Sequence, residues 1–316
     1  MTAVEPPELI TPREVPLGGL RAMRVRRTLP ARGRALVGAW CFLDHYGPDD
    51  VGQTGGMEVA PHPHTGLQTV SWLFAGEIEH HDSAGNLAMV RPGELNLMTA
   101  GRGISHTEVS TERTRLLHGV QLWVALPERA RFGRPGLEHY VPPRVSRAGV
   151  KARVFLGSLL GQSSPVQTAT PLLGAELVLE PGTSVELDVE ETHEHALLVD
   201  SGSAVFEGQD LAEHQLGYAA PGRLTLRLVA GPERSRAILL GGEPFDEEIV
   251  MWWNFVGRSH EEIIEFREAW QEQITHDGAV VADGRQVADG RFGNTGHRLP
   301  PIPAPEMPHV RLKGRR

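Results

Sequence analysis

Turn punctuation constrains the fold of this chain more than any other feature. Between residues 62 and 125, short apolar stretches are cut repeatedly by glycine and Pro-Gly signals. TVSWLFAGEIEHHD breaks at Gly76, LAMVRPGELNLMTAGRG breaks at Pro92-Gly93, and LLHGVQLWVALP follows. Strand-length runs with turn signals every 8–12 residues or so specify a sandwich or a barrel. No helix-period segment interrupts them. The same layout returns between about 166 and 243, in AELVLEPGTSVELDV, HALLVDSGSAVFEG, LGYAAPGRLTLRLVA and SRAILLGGEPF. Strand, Pro-Gly turn, His-x-His, strand, Gly turn and strand recur in one order, a weak internal repeat of one barrel unit.

The chain has 316 residues, which suits two domains of roughly 100–200 residues each. The expected division is a first barrel over 1–135, a connector over 136–165, a second barrel over 166–275 and a Pro-rich tail over 276–316. One helix is expected at 259–274. Ser259 and Glu262 form a capping box, and Ile263, Phe266, Trp270 and Ile274 fall on one helical face. That stripe is expected to pack on the second barrel. The tail holds a duplicated ADGR and the stretch RLPPIPAPEMP. Its prolines favour extended chain, either disordered or laid across a barrel surface.

The formal net charge of −9 disfavours direct nucleic-acid binding, because an acidic surface repels phosphates. Arg21, Arg24, Arg26 and Arg27, and Lys313, Arg315 and Arg316, read as solvated faces or tail ends. Cys41 is the single cysteine, so no intrachain disulfide forms; between Trp40 and Phe42 it reads as a buried, inert thiol. The first residues, MTAVEPPELITPREV, contain no apolar leader core. No run reaches the ~18 apolar residues of a membrane span. A cytoplasmic location is expected by default.

The chemistry lies in PHPHTG at 61–66 and GRGISHTE at 101–108. On a strand, residues i and i+2 share a face, so His62 and His64 project together, as do His106 and Glu108. Two neighbouring strands would bring three imidazoles and one carboxylate to one point inside a barrel, a set that first-row divalent metals accept. Four protein ligands leave open positions on an octahedral ion, as a catalytic metal needs. A lone His-x-His is usually surface or core histidine; two pairs beside glycine turns in one β-rich block are harder to place that way. His193 and His195 repeat the motif in the second block, but Val199 and Asp200 stand where a ligand glutamate would be, so no second site is expected there. His80, His81 and His118 read as surface or second-sphere groups.

The runs HPHTGLQTVSWLFAGEIEHHDSAGN, RPGELNLMTAGRGISHTE and HGVQLWVALP, with FLDHYGP at 42–48, resemble the pirin family. The likeness is close over the first 125 residues and looser afterwards, in VLEPGTSVEL and the EEIIEF helix. It implies an all-β bicupin: two cupin-type β-barrels with a few short helices and an extended C-terminal tail. It further implies one transition metal per chain, usually iron as Fe(II)/Fe(III), with other divalent metals also possible. The family's ligand positions fall on His62, His64, His106 and Glu108. The wider cupin pattern has a ligand glutamate where this chain has Gln68; pirins take the carboxylate from the later His-x-Glu instead.

Two function classes follow from the resemblance. One is a quercetin 2,3-dioxygenase-like enzyme, acting on a flavonol-type substrate with Glu108 as base for the 3-hydroxyl. Leu67, Trp72, Leu97 and Met98 are candidate cavity-lining residues, although barrel core is the ordinary role for each. The other is an iron- and redox-dependent regulator. It would bind a metabolic enzyme of acyl-CoA dehydrogenase or pyruvate dehydrogenase type, or a transcription factor, through protein contacts. The Arg-, Gly- and Pro-rich composition suggests a bacterial chain and hence the metabolic target. Fold alone does not choose between the two classes.

Overall fold

The computed structural model describes residues 6–17, 23–281 and 290–316. It contains two barrels of matching build, each an antiparallel seven-stranded sheet facing a four-stranded one. In the first barrel the large sheet runs Gly136–Tyr140, Leu95–Thr99, Leu67–Ala75, Leu116–Ala125, Trp40–Asp50, Arg24–Leu29, Arg13–Pro16. The small sheet runs Glu58–His64, Ile104–Ser110, Ile78–Asp82, Leu87–Val90. The second barrel repeats this, from Glu8–Ile10 to Val145–Arg147 in its large sheet and from Ser184–Asp188 to Gln209–Leu211 in its small one.

The large sheets are buried on both faces, which is why their strands read as nearly continuous apolar runs. Val70, Trp72, Leu95, Leu97, Val120 and Leu122 of the first barrel pack against Phe155, Leu172, Leu198, Ile238 and Leu240 of the second. The alternate residues of the second barrel, Leu173, Ala175, Leu177, Leu197 and Val199, fill its own interior with Phe206, Leu226 and Leu228. That interior is an apolar core. In the first barrel the corresponding space holds the histidines.

The expected division changes in detail. The stretch 136–165 is not a bare connector: Gly136–Tyr140 completes the first barrel's large sheet, and Val145–Arg147 and Val150–Leu156 begin the second. The helix His260–Ile274 is capped as expected, Ser259 accepting from the Glu262 amide. Ile263, Phe266, Trp270 and Ile274 do not pack on the second barrel, however. They meet Val250, Phe255, Phe292 and Ala304, part of a segment that crosses back to the first barrel. There Thr65 bridges Phe255, the Val256 amide donates to the Thr65 carbonyl at 3.1 Å and the Ile302 amide to the Pro61 carbonyl at 2.8 Å. The tail therefore lies across the mouth of the first barrel, while the N-terminal Glu8–Ile10 pairs with Leu216–Ala219 of the second. The ADGR duplication falls largely outside the described residues.

Gly66 makes the return crossing possible. It has φ +68°, and a Cβ there would lie 2.1 Å from the Val256 carbonyl oxygen. Any side chain would both strain the backbone and push the covering hairpin away.

Candidate metal centre

Strand register explains how the two motifs meet. Ile104–Ser110 lies between Glu58–His64 and Ile78–Asp82, pairing His106 with His62 and Ile104 with His64. The ladder slips between His106 and Glu108, so Glu108 falls opposite Val59. Pro61 lies within the slipped stretch; with no N–H to give the ladder, proline is tolerated at such irregularities. On the other side His106 pairs with Asp82 and Glu108 with His80.

His62, His64 and His106 are buried, with their ligand nitrogens within 4.8 Å of one another. His62 Nδ1 lies 2.9 Å from the Ala60 carbonyl, which fixes its proton there and leaves Nε2 as the free lone pair. His64 Nε2 and His106 Nε2 face each other at 3.1 Å. Burial lowers the basicity of all three: His62 falls to about 4, and His64 and His106 well below the ordinary imidazole value, with neighbouring histidines adding to the effect. Neutral imidazoles gathered within 4.8 Å, two of them 3.1 Å apart, have the protonation and the spacing that ligation at ~2.0–2.1 Å requires. The donor set fits a transition-metal ion.

Glu108 stands slightly apart. Its carboxylate clusters within 4.8 Å of His80 and His106, not of His62 and His64, and Oε1 accepts from Ser71 Oγ at 3.0 Å. All four expected residues nevertheless line one cavity. Burial raises the Glu108 carboxyl, partly opposed by His80 and the Ser71 hydrogen bond.

The structure also identifies the groups behind the imidazoles. His106 Nδ1 lies 3.3 Å from His80 Nδ1, and His80 Nε2 lies 3.4 Å from Asp82 Oδ2. Asp82 is itself held by the amides of Ala84 and Asn86. A carboxylate–histidine chain of this kind orients a ligand imidazole. His80 thus stands between His106 and Asp82, and close to Glu108 as well. His81 pairs with Glu79 at the surface, and His118 lies in a different cluster, against Asp200. Asp82 was not singled out from sequence; its signal was the HHD run, where it shares a strand face with His80.

The cavity holds about 570 Å³, within the ~300–1,000 Å³ usual for small-molecule sites. Leu67, Trp72, Leu97 and Met98 do not line it. Trp72 and Leu97 face the second barrel, and Leu67 and Met98 belong to the core cluster around Ile104. The walls are instead Phe42, Tyr46, Met57, Val59 and Trp123, with Met251, Trp252 and Trp253 contributed by the returning segment. Arg13 and Arg315 line the cavity as well, and Arg27 does so paired with the buried Asp44 at 2.7 Å. Gln68 turns away to Thr99. Cys41 is buried, its thiol pushed up to about 12 by desolvation. In the second barrel, His195 has both ring nitrogens buried without a partner, and among the described residues His193 and His195 join no three-residue donor cluster.

The pirin family model matches residues 21–124, and the model of the pirin C-terminal cupin domain matches 174–275. The chain belongs to the pirin family. Among pirin relatives, a Pseudomonas aeruginosa protein named "Putative quercetin 2,3-dioxygenase" is 42% identical over 274 residues, 86% of each chain. Human pirin is 33% identical over 259 residues, 78% of this chain and 87% of the relative. A crystal structure of quercetin 2,3-dioxygenase from Acinetobacter baumannii superposes with a TM-score of 0.87 at 34% identity, covering 98% of both chains. The first pirin match contains His62, His64, His106 and Glu108; the second spans most of the second barrel and the helix. Among the described residues no helix is long and apolar enough to cross a membrane.

Proposed function

We propose that this pirin is a metal-dependent dioxygenase of the quercetinase type, taking flavonol-like substrates and holding one iron ion on His62, His64, His106 and Glu108. The observation that carries this reading is the convergence of three buried imidazoles at the wall of an aromatic-lined cavity of about 570 Å³. The likeness to proteins named as quercetin dioxygenases supports it.

When bound, the ion would supply Lewis-acid chemistry toward a chelating enolate and one-electron chemistry toward dioxygen. The chain's own residues do the rest. Trp123, Trp252 and Phe42 offer flat apolar walls to a planar aromatic ligand. Arg13 and Arg315 at the cavity suit the negative charge of a deprotonated phenol. In this reading Glu108 takes the 3-hydroxyl proton, its proton affinity raised by burial. The returning tail adds Ile302 and Pro305 to the same walls.

Metal analysis of the purified protein, paired with oxygen uptake on quercetin, tests the reading. Fe(II)-dependent turnover is expected. Bound iron without turnover across a flavonol series would refute the enzyme and leave a redox-dependent, partner-binding regulator.

A further inference from the structure

A second cluster of metal donors lies between the barrels, away from the first site. His45 sits on Trp40–Asp50, His118 on Leu116–Ala125, and Asp200 on Glu194–Ser201 of the second barrel. His45 and Asp200 are fully buried and His118 nearly so. Asp200 Oδ1 lies 2.8 Å from His45 Nε2 and 2.6 Å from His118 Nε2, and the two nitrogens are 3.2 Å apart.

Local backbone irregularities aim these side chains. The ladders on both sides of Leu116–Ala125 slip at His118. The pairing of Glu194–Ser201 with Ser235–Gly242 slips between Val199 and Ser201, at Asp200. Bulges re-aim one side chain out of the alternating pattern and recur beside functional sites. A third irregularity adjoins them: His214 adopts φ +69°, unusual for a non-glycine residue. Its ring centre is 4.9 Å from that of His45, and its buried Nδ1 has no partner.

Hydrogen bonding alone accounts poorly for the triangle. Both imidazoles would have to donate to a single carboxylate oxygen from directions only roughly 70° apart, far narrower than its lone-pair directions. Three donor atoms separated by 2.6–3.2 Å do match one face of a six-coordinate ion with bonds of ~2.0–2.2 Å. The spacing also resembles the 3.1 Å between His64 Nε2 and His106 Nε2. We infer that His45, His118 and Asp200 form a second, inter-barrel site for a first-row divalent transition ion, bound by two imidazoles and one carboxylate.

The surroundings suit that assignment. Asp200 is buried and turns Oδ1 toward both imidazoles. Arg236 Nη1 lies 3.4 Å from the other oxygen, Oδ2, leaving Oδ1 to the ion. Its charge is offset by Glu176, 3.5 Å from Arg236 Nε. Because the ligands come from both barrels, an ion here binds only the docked pair and stabilises it by mass action.

The test counts ions on the intact chain, stripped with chelator, reloaded with Co²⁺ and desalted. Wild type should hold two per chain. His118→Gln, which keeps a donor for Asp200 but is a poor ligand, should hold one. The double variant His62→Ala with His64→Ala should keep one, and Zn²⁺ should raise its melting temperature. Retention of no ion by that double variant overturns the inter-barrel site, whether or not His118→Gln folds. A single wild-type ion kept in His118→Gln and lost in the double variant overturns it too, and reduces the cluster to a hydrogen-bonded contact. A single ion with the opposite behaviour keeps this site and removes the first-barrel ligand set instead.

Discussion

Glu108→Gln separates the roles assigned to the first-barrel carboxylate. The substitution preserves volume and one coordinating oxygen while removing the charge and the proton acceptor. Glu108 is 7% exposed, and Ser71 Oγ lies 3.0 Å from its Oε1 and 2.9 Å from Gln121 Oε1. Ser71 has one proton for those two acceptors. A glutamine amide can instead donate to the Ser71 oxygen, so the buried network stays satisfied and an isolated buried charge disappears. The fold should therefore change in stability by no more than about 1 kcal/mol, the scale of one net hydrogen bond. Chemistry should respond far more. Loss of a general base costs roughly 10²-fold or more, equivalent to about 2.7 kcal/mol of barrier. The three histidines should hold iron more weakly, since the anionic ligand is gone. The assay is quercetin-dependent oxygen uptake, normalised to iron content and compared at matched melting temperature. Full iron content together with wild-type turnover would remove Glu108 from both roles. If turnover is negligible in both proteins, the measurable effect should be a shifted iron redox potential.

Other perturbations address separate parts of the molecule. His62→Ala or His106→Ala should abolish first-barrel metal binding while the protein stays folded by circular dichroism, because the core is built from other residues; metal at that site near the wild-type level would contradict the assignment. The double substitution His193→Ala with His195→Ala should leave metal stoichiometry unchanged. His195→Leu should stabilise the second barrel by about 1–3 kcal/mol, the cost of leaving buried polar atoms unpaired. The gain should be larger at pH 5 than at pH 8. Burial lowers the folded-state value of His195 to about 4, so between about 6.5 and 4 the unfolded chain binds the proton and the folded one does not. Stability from this residue is therefore lost as pH falls, and equal gains at both pH values would disprove the linkage. Ser259→Ala should lower stability by about 1 kcal/mol through loss of the cap, read as a shift in denaturant midpoint.

The local patterns were legible in the sequence because they obey short-range periodicities. Alternation and turn residues announced two barrels, since burial of one or both sheet faces forces that pattern. The i,i+2 spacing placed His62 with His64 and His106 with Glu108 for the same reason, and Ser259 announced its helix because capping is a contact within one turn. What depends on docking was not legible. Trp72 and Leu97 have the same character whether they line a cavity or face a second barrel, and only the packing of one large sheet on the other sends them there. The Met251–Trp253 wall belongs to the histidine-lined cavity because a segment over 180 residues downstream of the PHPHTG motif folds back onto it. His80 gained its place behind His106 from strand register, which no spacing within one strand specifies. His45 and Asp200, 155 positions apart, meet where the barrels touch. Side-chain chemistry is written locally, but the partner of a buried charge is chosen by tertiary structure, because desolvation makes the choice matter only once the barrels have closed over it.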